Sequence, residues 1–195
     1  MTSITAPTSS VVGDHGTELP AGTVWEIDPG HADVAFVGRH FMMTKVRGRF
    51  TDVAGVIRIG DSMADASVDV TIGMASVESG NATRDDHIRS AELFDVESYP
   101  TATFRSTAVE WAGDQGVVHG DLTIHGVTRN VPLEVTFEGQ VRDPWGGHRA
   151  MFSGRTKVNR EDFGVTWNVA LEAGGVLVSK EIQIEIDLET VRRDQ

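Results

Sequence analysis

The sequence predicts an all-β protein, an eight-stranded antiparallel barrel with one short helix closing one end. The first observation is a long alternation of apolar and polar residues, clearest over residues 131–141 and 182–188. Successive side chains on a strand point to opposite faces, so each such segment has one apolar and one polar face. The second observation is a series of turn signals between these segments, and the third is a length of 195 residues, which suits a single β domain. The apolar faces must enclose either their own side chains or a ligand.

Strands are predicted wherever the alternation persists between turn residues. In chain order they cover residues 24–28 and 32–41 on either side of a turn at Pro29 and Gly30, then 46–59, 66–74, 101–111, 117–125, 128–142, 148–158 and, after an irregular stretch at 160–175, 179–189. Within 46–59 the apolar phase slips between Phe50 and Ile57, which indicates a bulge. The turns at 113–116 and 143–147 make two consecutive hairpins, so we expect an antiparallel meander. About eight strands typically close into a barrel that holds a packed core or one ligand.

The one helix is expected between residues 83 and 94, where the alternation stops. Its first turns contain Arg84, Asp85, Asp86 and His87, a cation, two carboxylates and an imidazole within four positions. Such a set suits acid–base catalysis or recognition of a polar headgroup. The simpler interpretation is that Asp85 and Asp86 stabilise the positive end of the helix dipole.

Composition and charge narrow the class of partner. With 17 basic and 29 acidic residues the formal charge is −12, which argues against binding to nucleic acid or to anionic membrane surfaces. Cysteine is absent, so thiolate chemistry and disulfides are excluded. No stretch has the roughly 20 apolar residues of a membrane-spanning helix, so stable membrane insertion is not expected. The oligomeric state stays open, a homodimer included.

The domain prediction is a barrel over residues 23–191, with a disordered tail at 1–22 and a short tail at 192–195. The N-terminal tail is rich in Thr, Ser, Pro and Gly and has no basic start or apolar run typical of an export signal. We therefore expect a cytoplasmic protein.

The inward-facing apolar positions are the candidate ligand-binding residues, with His40 as the preferred contact to a polar headgroup. They are Phe36, Phe50, Val70, Ile72, Phe94, Phe104, Leu122, Val135, Phe137, Phe152, Phe163, Trp167 and Ile184. The alternative is that these side chains simply pack the core. Small residues at inward positions favour a cavity because they leave room; the alternative is that they mark bulges or tight barrel corners. They are Gly48, Ala54, Ala66, Ala102, Ala108, Gly120, Ala150 and Gly154.

No catalytic or metal-binding motif is found. The histidines lack H-x-H and H-E-x-x-H spacing, and G-x-S-x-G and phosphate-loop patterns do not occur. We therefore predict no catalytic residue, no metal and no cofactor.

Several motifs follow one another in order over roughly residues 24–190. They comprise Trp25, Ile27, Asp28, His31, Phe36, His40, Gly48 and Phe50, then Ser76, Val77, Gly80, Arg84, Asp85 and His87, then Phe94, Asp95, Tyr99, Pro100, Phe104 and Ser106, then the segment 120–131 with its G-x-L-T-x-x-G-V-T pattern, and finally the R-x-D-F-G element at 160–164. Together they resemble the YceI-like family of polyisoprenoid-binding, lipocalin-like proteins. Two departures are that many members carry an export signal and that Ala32 stands where serine is common.

The resemblance implies an eight-stranded lipocalin-like barrel with an elongated apolar cavity. It also implies carriage or storage of a polyisoprenoid, an isoprenoid quinone or a fatty-acid-like lipid, bound without catalysis. Two alternatives remain open. One is a barrel enzyme, an isomerase or hydrolase that acts on such a lipid through His40 or residues 84–87. The other is an interaction protein with a filled core and an acidic outer face.

Overall fold

The first and last strands of this protein pair with each other, which closes the sheet into a barrel. The computed structural model describes residues 19–170 and 176–193. Its strands are β1 (Val24–His40), β2 (Thr44–Phe50), β3 (Val53–Arg58), β4 (Ser67–Gly73), β5 (Val77–Glu78), β6 (Thr101–Ala112), β7 (Gln115–Ile124), β8 (Val127–Arg142), β9 (His148–Asn159) and β10 (Glu181–Arg192), and its helix is α1 (Ala82–Arg89).

Eight strand positions make up the closed ring. β2 pairs with the second half of β1 and β3 with its first half, so β2 and β3 act as one bent strand. From there the order is β4, β6, β7, β8, β9 and β10, and β10 returns to β1, all antiparallel. β5 pairs only with β2 and lies outside the ring. The predicted eight-stranded antiparallel barrel of the lipocalin-like type, with one helix, is confirmed.

β1 differs from its prediction. The turn expected at Pro29 and Gly30 is wrong, because β1 continues through both residues as one strand. The register with β10 shifts between Ile27 and Ala32, because five steps along β1 correspond to only two steps along β10. The Pro-Gly signal therefore marks a bulge, which takes up extra residues without ending the strand.

Two further elements differ in detail from their predictions. The phase slip in 46–59 corresponds to a break at Thr51 and Asp52, which separates β2 from β3. The helix is shorter than 83–94: α1 ends at Arg89, and Ser90 is already extended and donates its backbone N–H to Asp86 and His87. Among the described residues, no helix is long and apolar enough to cross a membrane.

The two ends of the barrel are built differently. The end where β1 begins, here called the Trp25 end, holds a buried cluster of Leu19, Trp25, Ile57, Ile59, Met63, Phe137, Ala150 and Phe152. Leu19 and Met63 lie outside the strands, and both are buried in this cluster. Residue 19 is thus part of the packed structure, while residues 1–18 and 194–195 of the predicted tails lie outside the described residues, as do 171–175 of the irregular stretch. The opposite end, here called the helix end, carries α1.

One arginine ties three chain segments together at the Trp25 end. Arg149 of β9 donates through Nη1 to Asp28 in the β1 bulge at 2.8 Å and through Nε to Asp143 in the β8–β9 turn at 3.0 Å. It also bonds Glu189 of β10. Because the guanidinium stabilises their charged forms, it holds the pKa of Asp28 and of Asp143 below the usual 3.8. The network fastens the bulge of β1 to β9 and β10.

Replacement of Arg149 by Met should destabilise the protein at pH 7 and less at pH 3. The folded-state pKa values of Asp28 and Asp143 lie below the unfolded value of 3.8, so the stabilisation is complete well above that value. It is lost as the pH falls through the lower folded-state values. Urea titrations at both pH values measure the difference in midpoint between wild type and variant.

Arg155→Met is the matched control, because Arg155 pairs with Glu134 at 2.7 Å on the exposed outer face. Exposed pairs contribute at most about 1 kcal/mol, so this variant should shift the midpoint little at either pH. An Arg149→Met midpoint shift of the same size at pH 7 and pH 3 would contradict the assigned role.

Candidate ligand-binding cavity

An elongated cavity of about 810 Å³ occupies the barrel interior. Its walls include Met63 and Trp111 towards the Trp25 end and His87 and Trp167 at the helix end. The volume lies in the upper part of the roughly 300–1,000 Å³ range of small-molecule pockets. The cavity thus runs through most of the length of the barrel.

The inner face of β10 shows that this space is not filled by side chains. Ile182, Ile184, Ile186 and Leu188 all point inward and line the cavity, yet each is only half-buried. Aliphatic side chains in a packed core would be almost fully buried. The interior therefore holds open space along this strand, which does not fit the alternative of a filled core.

The cavity wall contains every predicted ligand-binding residue except Phe137. Those that line it are Phe36, His40, Phe50, Val70, Ile72, Phe94, Phe104, Leu122, Val135, Phe152, Phe163, Trp167 and Ile184. Their contact with a ligand stays a prediction.

Phe137 lies instead in the buried cluster at the Trp25 end, with its ring 5.4 Å from that of Phe152. The ladder between β8 and β9 shifts register between Phe137 and Gly139. The shift comes after Phe137, which still pairs with the inward-facing Phe152, so its ring points to the interior and packs in this cluster.

Two of the three inward glycines, Gly48 and Gly120, do not enlarge the cavity. A Cβ on Gly48 would lie 2.4 Å from the ring of Phe36, and one on Gly120 would lie 2.3 Å from the ring of Phe104. Each ring covers a glycine of a neighbouring strand, so the space that glycine frees is already occupied. The expectation that Gly48 and Gly120 leave room is wrong.

The small alanines divide between the two faces. Ala54 and Ala108 are exposed, so the expectation that they face inward is wrong. For Ala108 the reason is a register shift between Ser106 and Ala108. Ala66 and Ala102 do line the cavity, together with Gly154.

Hydrogen bonds to Ser79 and Asn81, the residues just before α1, fix the start of this helix at the helix end of the barrel. Asn81 is the N-cap and accepts the backbone N–H of Arg84 at 3.0 Å. Arg84 donates to the backbone oxygen and to Oγ of Ser79, both at 2.7 Å. Asp85 is buried and accepts the backbone N–H of Ser79 at 2.8 Å. Asp85 thus anchors the helix and does not face the cavity.

The two histidines predicted as functional both lie on the cavity wall and both contact aromatic rings. His87 Nε2 lies 2.8 Å from a carboxylate oxygen of Glu92, and the imidazole meets Trp167 edge-on with ring centres 4.4 Å apart. His40 packs on Phe41 with ring centres 4.2 Å apart. These are packing and hydrogen-bonding contacts that a structural role explains.

The sequence did not single out Arg160 as a site residue, although it lines the cavity. It is 7% exposed, and it donates through Nε to Ser179 O at 3.0 Å and through Nη1 to Val165 O at 2.5 Å. Nη2 is buried and has no partner in the described part of the chain. Burial lowers the pKa of Arg160, since desolvation disfavours the charged form. The sequence feature that could have identified Arg160 is its position in the R-x-D-F-G element.

A second group of polar side chains lies at the Trp25 end. Ligand atoms of Asp28, His31 and Glu189 lie within 4.8 Å of one another, a spacing that could hold a metal ion. Arg149 already donates to both carboxylates. A metal ion there would have to compete with this guanidinium.

Comparison with known proteins gives a consistent result. A family model described as the YceI-like domain matches residues 25–190. The protein YceI of Salmonella newport is 38% identical over 164 residues, which cover 84% of this chain and 83% of that protein. The structure of BcnA from Burkholderia cenocepacia superposes with a TM-score of 0.73 at 26% identity, covering 84% of this chain and 98% of that one. A polyisoprenoid binding domain from Saccharophagus degradans, implicated in plant cell wall breakdown, superposes with a TM-score of 0.63 at 18% identity, covering 87% and 98%.

Gly48→Ala should lower the free energy of unfolding by about 1–3 kcal/mol, the usual cost of an overpacked core position. The new methyl group would lie 2.4 Å from the Phe36 ring, which must then turn away from Phe50. Urea denaturation measures the change. The control is Gly154→Ala, whose nearest contact would be Glu134 O at 3.3 Å and whose loss should be smaller. Equal stability of Gly48→Ala and wild type would show that the ring does not need the glycine.

Proposed function

This chain belongs to the YceI-like family, and from that membership and its apolar cavity we propose that it binds one long apolar lipid non-covalently and carries or stores it. The ligand class is a polyisoprenoid, an isoprenoid quinone or a fatty-acid-like lipid. The observation that carries the proposal is the open cavity of about 810 Å³, whose strand-borne walls are almost entirely aliphatic and aromatic.

The energetics of such a cavity suit a lipid chain. Burial of apolar surface contributes about 25 cal/mol per Å², so a long hydrocarbon gains affinity without specific polar contacts. The inner face of β10 from Ile182 to Leu188 spans about 20 Å at roughly 3.3 Å per residue. This length favours an extended chain over a compact ligand.

The fold is shared with a domain that is described as polyisoprenoid binding, the one from Saccharophagus degradans. That similarity supports the idea that a barrel of this shape accommodates an isoprenoid. The ligand assignment for this chain rests on its own cavity.

The contacts of the polar residues at the helix end favour binding without catalysis. Arg84 and Asp85 bond Ser79, and His87 bonds Glu92 and contacts Trp167. These contacts use the groups that an isomerase or hydrolase would need as acid or base. His87→Ala should therefore leave ligand retention largely intact.

Organic extraction and mass spectrometry of the protein purified from its native host test the proposal directly. We expect a stoichiometric isoprenoid or other long-chain lipid, which is absent from a control protein of similar charge. A matching lipid added to delipidated protein at 100 times its Kd should raise the melting temperature by about 5–10 °C, since only the folded state binds it. An empty extract and an unchanged melting temperature would overturn the proposal.

Two neighbouring positions on β4 provide a matched pair of variants. Val70 lines the cavity, whereas Thr71 is exposed on the outer face. Val70→Trp should fill part of the cavity and reduce bound lipid at least tenfold, while Thr71→Trp should retain the wild-type amount. Equal lipid content in both folded variants would place the ligand outside the barrel.

A further inference from the structure

All charged residues that line the cavity are basic, although the chain as a whole carries a formal charge of −12. They are Arg39, Arg84 and Arg160, and none of the described lining residues is Asp or Glu. Building on the function proposed above, we propose that the polar end of the bound lipid is an anion, a phosphate or a carboxylate, held at the helix end by Arg84 and Arg160.

A chain of contacts places Arg39 and Arg160 at the same end of the cavity. Arg160 Nε donates to Ser179 O at 3.0 Å, and Ser179 Oγ accepts the backbone N–H of Arg39 at 2.9 Å. Val178, next to Ser179, pairs with His40 at the end of β1. Arg160 therefore lies beside the last residues of β1, where the barrel wall ends.

The same segment reaches α1 and hence Arg84. Asn168 donates through Nδ2 to Val178 O at 2.8 Å. Its neighbour Trp167 meets the His87 ring of α1. His87 lies one helical turn from Arg84 on the wall of the same cavity. The helix end of the cavity is thus bounded by basic side chains from both sides.

Arg160 forms no ion pair within the described part of the chain, because neighbouring Glu161 pairs with Lys180 instead. Two backbone carbonyls accept from it, and no carboxylate lies within ion-pair distance among the described residues. An arginine stays protonated even when buried, and a buried charge without a counter-ion is costly. A ligand anion in the cavity would supply the missing opposite charge.

Arg84 provides further hydrogen-bond donors on the α1 side of the cavity. Its bonds to Ser79 use Nε and Nη2, and a guanidinium has five N–H donors in all. Arginine matches the geometry of phosphate and carboxylate oxygens, and such charge-assisted bonds are roughly twice as strong as neutral ones. A neutral headgroup such as a quinone would leave Arg160 without an ion-pair partner.

The test compares two ligands that differ only at the polar end. Geranylgeranyl phosphate and geranylgeraniol are titrated into the delipidated full-length protein below their micelle concentrations, with displacement of a fluorescent lipid as the readout. We expect the phosphate to bind at least tenfold more tightly than the alcohol. Inorganic phosphate at the same concentration should displace nothing.

Arg84→Met and Arg160→Met should each reduce the preference for the phosphate to less than threefold, while the affinity for the alcohol stays within a factor of two. Arg142→Met is the control, because it removes the same charge from the exposed far end of β8 and should keep the full preference. Melting curves show whether each variant folds. If Arg160→Met does not fold, the proposal is tested by the Arg84→Met variant and by the ratio of the wild-type affinities for the phosphate and the alcohol.

The outcomes separate this proposal from the proposed function. If wild type binds the alcohol as tightly as the phosphate, the anionic headgroup is overturned and lipid binding stands. If neither lipid binds, the proposed function itself fails. If inorganic phosphate binds as tightly as the lipid phosphate, the basic residues form a site for free phosphate and the headgroup proposal is overturned. Loss of the preference in Arg142→Met would show that net charge, not the two arginines, is responsible.

Discussion

The pairing of β1 with β10 is the constraint on which the rest of the structure depends. It joins the two ends of the chain, so that the sheet becomes a ring without a free edge in this region. In an eight-stranded ring, half of the side chains of every strand must point into one enclosed space. The bulge between Ile27 and Ala32 lets one long strand meet β10 along one edge and β2 and β3 along the other.

The interior stays open because its side chains do not reach across it. Half of the wall positions carry Val, Ile or Leu, which are shorter than the aromatic side chains. The rings of Phe36 and Phe104, which are long enough to fill space, lie over glycines of adjacent strands instead. An empty apolar cavity lacks the dispersion contacts of a packed core. The wall therefore favours an occupant that restores those contacts.

The sequence was sufficient for the fold and for most of the cavity wall because both follow from the period-two alternation. It failed where one residue breaks the phase or where a role depends on distant neighbours. A bulge turns Ala108 to the outer face, and Pro29 with Gly30 can signal a bulge as well as a turn. Arg160 follows the last residue of β9, and its surroundings come from Val165 and Ser179, which no local pattern connects to it.

The buried cluster at the Trp25 end closes that end of the cavity. Leu19 and Met63 lie off the strands and pack against Trp25, and Met63 also forms part of the cavity wall. Under the proposed function, this cluster would stop a hydrocarbon chain at the Trp25 end of the cavity. The length of the cavity would then set how many carbons the barrel encloses, and a longer chain would extend beyond the barrel.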